Sequence, residues 1–278
     1  MLTNYHTHSS FCDGHGAPDE YAAEAVRQGF HTLGFSSHAP VPFDNAWSLS
    51  YANLPTYCDT IKKLKEEYAG RLNVLLALEA DYIPGASFPF ARLKNSCGLD
   101  YIIGAVHLVS KKGLPGLWFI DGPVTNFDKG LEKVFKGDIQ SGVEAYFRQV
   151  MEMLYTEKPD IIAHFDKIKM NNKGRYFTEE DTWYKALIKK TLRVIAETGC
   201  IVEVNTRGIY TKKYNGLYPS VNVLEQCHSL NIPVTINSDA HKPEDISQQF
   251  SETRQLLKDI GYTNVMIFTA DGWKARSI

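Results

Sequence analysis

Seven of the nine histidines in this chain, His6, His8, His15, His38, His107, His164 and His241, fall at or just after runs that read as β-strands, joined by Asp13, Glu79 and Asp239. Neutral imidazoles and carboxylates collected at strand ends suit zinc, manganese or iron. His6 and His8 stand at i, i+2 on an extended segment, as do Asp239 and His241, so each pair points to one side and can grip one ion. A lone histidine is more often structural, and His31 and His228 are read that way. Burying so many titratable groups around one cavity without metal would carry a large desolvation and repulsion cost. Divalent cations compensate the carboxylates and keep the imidazoles neutral. The ligand candidates His6, His8, Asp13, His38, Glu79, His107, His164, Asp239 and His241 exceed what one ion needs. Two or three ions sharing a bridging Glu79 are therefore expected, because a carboxylate can span neighbouring metals.

The chemistry such a cluster performs is hydrolysis. Divalent ions acidify a bound water so that it can attack phosphorus at neutral pH, and they neutralise the phosphoryl oxygens. A phosphate monoester is the expected substrate, with Asp239 and His241 acting at the reacting centre. Arg207, directly after a strand, is placed for bidentate phosphate contact and joins them as a catalytic candidate. Lys169, with Lys167, Lys212 and Lys213, offers further positive charge.

These residues need a scaffold that brings strand ends together. The chain alternates strand-like runs with amphipathic helical stretches, the pattern of a parallel sheet with helices outside. Strands are expected at Leu2 to His6, Thr32 to Ser36, Leu72 to Glu79, Tyr101 to His107, Asp160 to His164, Cys200 to Asn205, Pro233 to Asn237 and, late, Asn264 to Thr269. Helices are expected at Pro18 to Gln28, Asn53 to Tyr68 and Tyr184 to Thr198, with Gly29, Gly70 and Gly199 as their stops. In parallel barrels the site is built at the carboxyl ends of the strands, where His6, His8, His38, Glu79, His107, His164, Asp239 and His241 all fall. The stretch from Leu108 to Gly142 is too long for an ordinary connection and reads as a lid or specificity loop. A surface excursion with a short helix around Asp128 to Phe135 is the alternative.

A single domain spanning residues 1–278 accommodates this length. With 30 basic and 32 acidic residues the formal charge is -2, so nothing suggests a nucleic-acid or membrane-surface partner, and a small ligand fits better. Cys12, Cys58, Cys97, Cys200 and Cys227 form an odd set without a CxxC pair, which predicts reduced thiols and a cytoplasmic protein. The start, MLTNYHTHSS, has neither the basic nor the apolar region of an export signal.

The motifs YHTHSSFCDG (5–14), GFSSHAP (34–40), LALEADY (76–82), GAVH (104–107), AHFD (163–166), VEVNTRG (202–208) and NSDAH (237–241) span nearly the whole chain. Together they resemble the polymerase and histidinol phosphatase (PHP) superfamily, and with GDI at 137–139 they look most like its histidinol-phosphatase branch. The resemblance implies a distorted (β/α)7 TIM-like barrel with a metal site at the carboxyl ends of the strands, commonly trinuclear. Carried over by motif, it implies that His6, His8, Glu79 and Asp239 hold one ion, that Glu79, His107 and His164 hold a second, and that Asp13, His38 and His241 hold a third. Relatives differ in using aspartate or histidine at the early position of the third ion. Asp13 is preferred here, leaving His15 a loop residue near the entrance. Ser37 departs from the acidic residue expected before the histidine of SHAP. The implied substrate is L-histidinol phosphate, whose ammonium and imidazole ask for a carboxylate and an aromatic wall. Asp121 in the long loop, with Trp118 and Phe119 beside it, is the candidate for these. The competing readings are a sibling phosphoesterase for nucleotides or another small phosphate ester, a metal-dependent amidohydrolase, and a barrel that has lost its metals.

Overall fold

The computed structural model describes every residue except Leu114. In chain order the strands are β1 (Leu2–Asn4), β2 (Phe30–Phe35), β3 (Asn73–Asp81), β4 (Tyr101–Ala105), β5 (Leu108–Ser110), β6 (Leu117–Phe119), β7 (Ile161–Ile162), β8 (Ile201–Asn205), β9 (Val234–Asn237), β10 (Asn264–Thr269) and β11 (Gly272–Ser277). Seven of them form one parallel sheet in the order β1-β2-β3-β4-β7-β8-β9. A parallel bridge between Thr7 and Ala240 brings its two edges together, with the His8 amide donating to the Ala240 carbonyl at 2.8 Å and the Ala240 amide to the His6 carbonyl at 3.2 Å. The sheet is thus a nearly closed, distorted seven-stranded TIM-like barrel, as expected.

Helices cover its outside for the reasons their sequences give. The helix Leu54–Glu67 buries Leu54, Tyr57, Cys58, Ile61 and Leu64, one stripe at three- and four-residue spacing, and turns its lysines and glutamates to water. Thr182–Thr198 buries Tyr184, Ile188, Leu192 and Ile195 and ends at Gly199, whose φ of 69° lies in the left-handed region open to glycine. Inside the barrel, Gly34 makes room for Tyr101, because a Cβ there would sit 1.9 Å from its hydroxyl oxygen.

The late run Asn264 to Thr269 is a strand, but it pairs antiparallel with β11 instead of joining the barrel. Its apolar side chains have another use. Met266, Phe268 and Trp273 pack on Tyr5, Tyr101, Ile161 and Ile201, three of which open their strands, so the hairpin plugs the amino end of the barrel. The Tyr5 hydroxyl accepts the Phe268 amide at 2.9 Å. One end is thereby closed, and the carboxyl end is left for the site.

The stretch from Leu108 to Gly142 is not an irregular loop. It folds as a hairpin of β5 and β6 followed by the helix Val124–Phe135 and the start of the helix Ile139–Thr156. Trp118 organises it and is therefore not a substrate wall. Its side chain is fully buried, its indole N–H donates to the Phe127 carbonyl at 2.8 Å, and its ring packs on Phe127 and Phe135 over Gly130 and Gly142. Trp118→Phe should remove that hydrogen bond and leave the pocket underfilled, lowering stability by roughly 1–2 kcal/mol. Denaturant midpoints check this, and kinetics on a small phosphate ester should stay at the wild-type level.

The expectation of five reduced thiols also needs correcting. Cys58 and Cys97 lie on the inward faces of the neighbouring helices Leu54–Glu67 and Phe90–Cys97 and form a disulfide, a pairing across 39 residues that sequence spacing did not reveal. Among the described residues Cys12, Cys200 and Cys227 are free. No described helix is long and apolar enough to cross a membrane.

Candidate metal centre

At the carboxyl ends of β1, β2, β3, β4, β7 and β9, parallel strand direction carries His6 and His8, His38, Glu79, His107, His164, and Asp239 with His241 to one place. Glu79, only 1% exposed, lies at the centre. One of its oxygens is 3.3 Å from His6 Nε2, 3.5 Å from His8 Nε2 and 3.0 Å from His38 Nδ1. The other is 3.1 Å from His164 Nε2 and 3.8 Å from His107 Nε2. Asp239 approaches His8 Nε2 at 3.4 Å and His241 Nδ1 at 3.4 Å, and it turns the chain with a φ of 52°, which aspartate tolerates better than most residues. Asp13 reaches in from the loop after β1, 3.3 Å from His241 Nε2 and 3.7 Å from His38 Nε2. His15 is exposed and turned away, its backbone bonded to His241 and to the Tyr21 hydroxyl.

Among the described residues, three groups each have potential ligand atoms within 4.8 Å of one another: His8, Asp13, His38 and His241; His6, His8 and Glu79; and His38, Glu79 and His107. Set beside the grouping that the resemblance implies, the first adds His8 to Asp13, His38 and His241, the second lacks Asp239, and the third joins His38 instead of His164 to Glu79 and His107. Among the described residues, the buried atoms His6 Nε2, His8 Nε2 and His38 Nδ1 have no hydrogen-bond partner. Orphaned ring nitrogens converging on carboxylates are what divalent metal ions satisfy, so the residues present fit such ions.

The electrostatics agree. Burial alone would push the His6 imidazole down, but Glu203, Glu79 and Asp239 hold it well above its usual range, and Glu79 and Asp13 lift His38 against burial to about 10. Burial together with His241 and His38 drives His8 well below its usual range. Glu79 and Asp239 would be raised by burial, yet the surrounding imidazoles, and for Asp239 also Arg207, hold both well below the usual carboxylate range. The carboxylates are thus ionised and the imidazoles share too little positive charge, a deficit that divalent cations would fill.

Above the cluster opens a cavity of about 230 Å³ lined by Trp47, Phe119, Asp121, Lys167, Arg207 and Lys213 as well as the cluster itself. Arg207 Nη1 donates to the Asp239 carbonyl at 2.6 Å and lies 2.7 Å from His241 Nδ1. Asp121 faces this cavity with its Oδ2 2.7 Å from Lys167 Nζ, so its carboxylate already has a cationic partner. Lys169 is elsewhere: its ammonium is buried against Asp166 and faces Tyr214 and Tyr218, and it lines a separate cavity beside Glu179. The helical turn Lys169–Asn172 aims it away from the metal centre, which corrects its place among the substrate contacts.

Three residues of this site, Trp47, Asp81 and Glu203, escaped the sequence reading. Trp47 stacks near Phe119, with centroids 6.2 Å apart and planes at 19°, and its edge meets His38, forming an aromatic wall where Trp118 was expected. Asp81 accepts both the backbone N–H and the ring Nδ1–H of His107, at 2.8 and 3.0 Å. Glu203 lies 2.6 Å from His6 Nδ1. The two acids carried a signal, since each is a charge within a buried, mostly apolar strand. Trp47 carried none, because its meeting with Phe119 of β6 joins segments far apart in the chain.

Comparison with known proteins places these features in a family. The PHP domain model matches residues 4–207. The chain is 29% identical to a protein of Deinococcus radiodurans named "Probable histidinol-phosphatase", with 94% of each chain covered. It is 27% identical to the histidinol-phosphatase of Bacillus subtilis, covering 88% of this chain and 95% of that one. The crystal structure of histidinol phosphate phosphatase from Lactococcus lactis, complexed with zinc, L-histidinol and phosphate, shares the fold with a TM-score of 0.68 and 19% identity over 98% of both chains.

Proposed function

The chain belongs to the PHP domain family, and on that premise we propose that it is a metal-dependent histidinol-phosphatase, converting L-histidinol phosphate and water to L-histidinol and phosphate. The observation that carries this reading is the convergence of orphaned imidazole nitrogens and ionised carboxylates at the floor of a cavity whose walls hold Arg207, Lys167 and an aromatic pair. His6, His8, Asp13, His38, Glu79, His107, His164, Asp239 and His241 would hold two to three divalent ions. When bound, such ions supply Lewis-acid stabilisation of the phosphoryl oxygens and acidify water at neutral pH.

The remaining work falls to side chains. Arg207 and Lys167 flank the cluster as fixed cations, the first steered by the Asp239 carbonyl and the second by Asp121. Burial would depress Lys167, but Asp121, Asp239 and Glu79 keep its pKa raised, so it stays charged and can meet phosphate beside Arg207. Trp47 and Phe119 offer an apolar face to the imidazole of the substrate. A cavity of about 230 Å³ suits a small monoester better than a polynucleotide, and the balanced charge agrees. The named activities of the Deinococcus and Bacillus relatives support the same substrate.

The aromatic wall provides a test of substrate choice. An aromatic contact is worth roughly 0.5–1.5 kcal/mol, so Trp47→Ala should lower kcat/KM for L-histidinol phosphate about two- to tenfold. Hydrolysis of glycerol 2-phosphate, which has no ring, should be unchanged. Equal losses on both esters would show that Trp47 does not read the imidazole.

A further inference from the structure

We propose that Glu203 is a positioning residue: as a fourfold hydrogen-bond acceptor beneath the cluster, it fixes the ring of His6 and thereby sets the affinity of the ion that His6 holds. The inference rests on the metal-centre reading above. Glu203 points inward from the middle of β8 and is fully buried. Its Oε1 is 2.6 Å from His6 Nδ1 and accepts from Asn237 Nδ2 at 3.0 Å. Its Oε2 accepts from the His164 backbone amide at 3.0 Å and from Asn205 Nδ2 at 3.0 Å.

The direction of these bonds is determined by their surroundings. Asn237 Oδ1 accepts the Tyr5 amide at 2.8 Å and Asn205 Oδ1 accepts the Arg207 amide at 2.9 Å, so both side-chain NH2 groups must face Glu203. A carboxylate surrounded by donors can bond to His6 only if Nδ1 carries the proton. In the neutral ring, the form that can bind a metal, the lone pair is then on Nε2, the orphaned atom directed at Glu79 and Asp239. Holding the far nitrogen of a ligand histidine in this way fixes its tautomer and orientation and raises its basicity. The other bonds hold the carboxylate in place, since it accepts the His164 backbone amide and Asn205 Nδ2, which also reaches Asp239 Oδ2 at 3.2 Å, and of the cluster's imidazoles it is the ring of His6 that it bonds.

Glutamine cannot replace it. Whichever way its amide turned, an NH2 group would face two donors, either His6 and Asn237 or the His164 amide and Asn205. Chelator competition with zinc should therefore show one ion bound about 10- to 100-fold more weakly in Glu203→Gln than in the wild type, while the other ions stay within about twofold. Added to His6→Ala, the same substitution should change the remaining ions by less than about twofold. Equal weakening of every ion, or the same weakening in both backgrounds, would assign Glu203 a general structural role and overturn the proposal. Absence of zinc binding by the wild type would instead overturn the metal-centre reading itself. If Glu203→Gln does not fold, nitrogen-15 NMR of the histidine rings in zinc-loaded wild type decides the matter. His6 should carry its proton on Nδ1 and bind through Nε2, and the reverse tautomer would refute the account.

Discussion

Glu79→Gln is expected to cost at least one bound ion per chain and to lower kcat/KM on a phosphate monoester by about 10³-fold or more. Its two carboxylate oxygens divide the cluster, one facing His6, His8 and His38 and the other facing His164 and His107. An amide of the same shape keeps one acceptor but turns a donor toward the second group of imidazoles, and it loses the charge that opposes the cations. A buried site cannot recover that loss from solvent, because Glu79 is 1% exposed. Elemental analysis after saturation with manganese or zinc, set beside steady-state kinetics, checks both parts. Unchanged occupancy would remove Glu79 as a bridge and with it the multinuclear arrangement.

Arg207→Ala should separate substrate binding from metal binding. The guanidinium lines the cavity and bonds to the Asp239 backbone carbonyl and to His241 Nδ1, not to a carboxylate of the cluster. Burial would lower its pKa, but Asp239 and Tyr210 raise it, so it is charged at every working pH. A charge-assisted phosphate contact is worth roughly 1.5–3 kcal/mol, which corresponds to about a ten- to hundredfold loss of kcat/KM. Metal content should match the wild type. Wild-type kinetics in this variant would exclude the phosphate contact, and loss of metal would recast Arg207 as a support for His241.

What could be read from the sequence depended on how local each signal was. The barrel was legible because its strands are short apolar runs bounded by turn residues, and because strand-end histidines at i, i+2 need no partner to be noticed. The late run Asn264 to Thr269 carries the same local pattern, and only its packing against Tyr5 and Tyr101 shows that it plugs the barrel. Trp118 failed as a substrate contact for the converse reason. An aromatic residue in a glycine-rich stretch looks exposed until a helix such as Val124–Phe135 folds over it. Asp121 was placed beside the cavity, but its pairing with Lys167, 46 residues away along the chain, was invisible. Glu203 and Asp81 were readable in principle as acids within apolar strands, yet their roles depend on which imidazole nitrogen each one meets.

The central claim is tested most directly by phosphate release from L-histidinol phosphate, AMP and a phosphodiester, using protein stripped of metal and then supplied with manganese, zinc or iron. The account predicts negligible release from the stripped protein, recovery on adding metal, and the highest kcat/KM for L-histidinol phosphate. Release independent of metal, or a preference for the nucleotide or the diester, would contradict it.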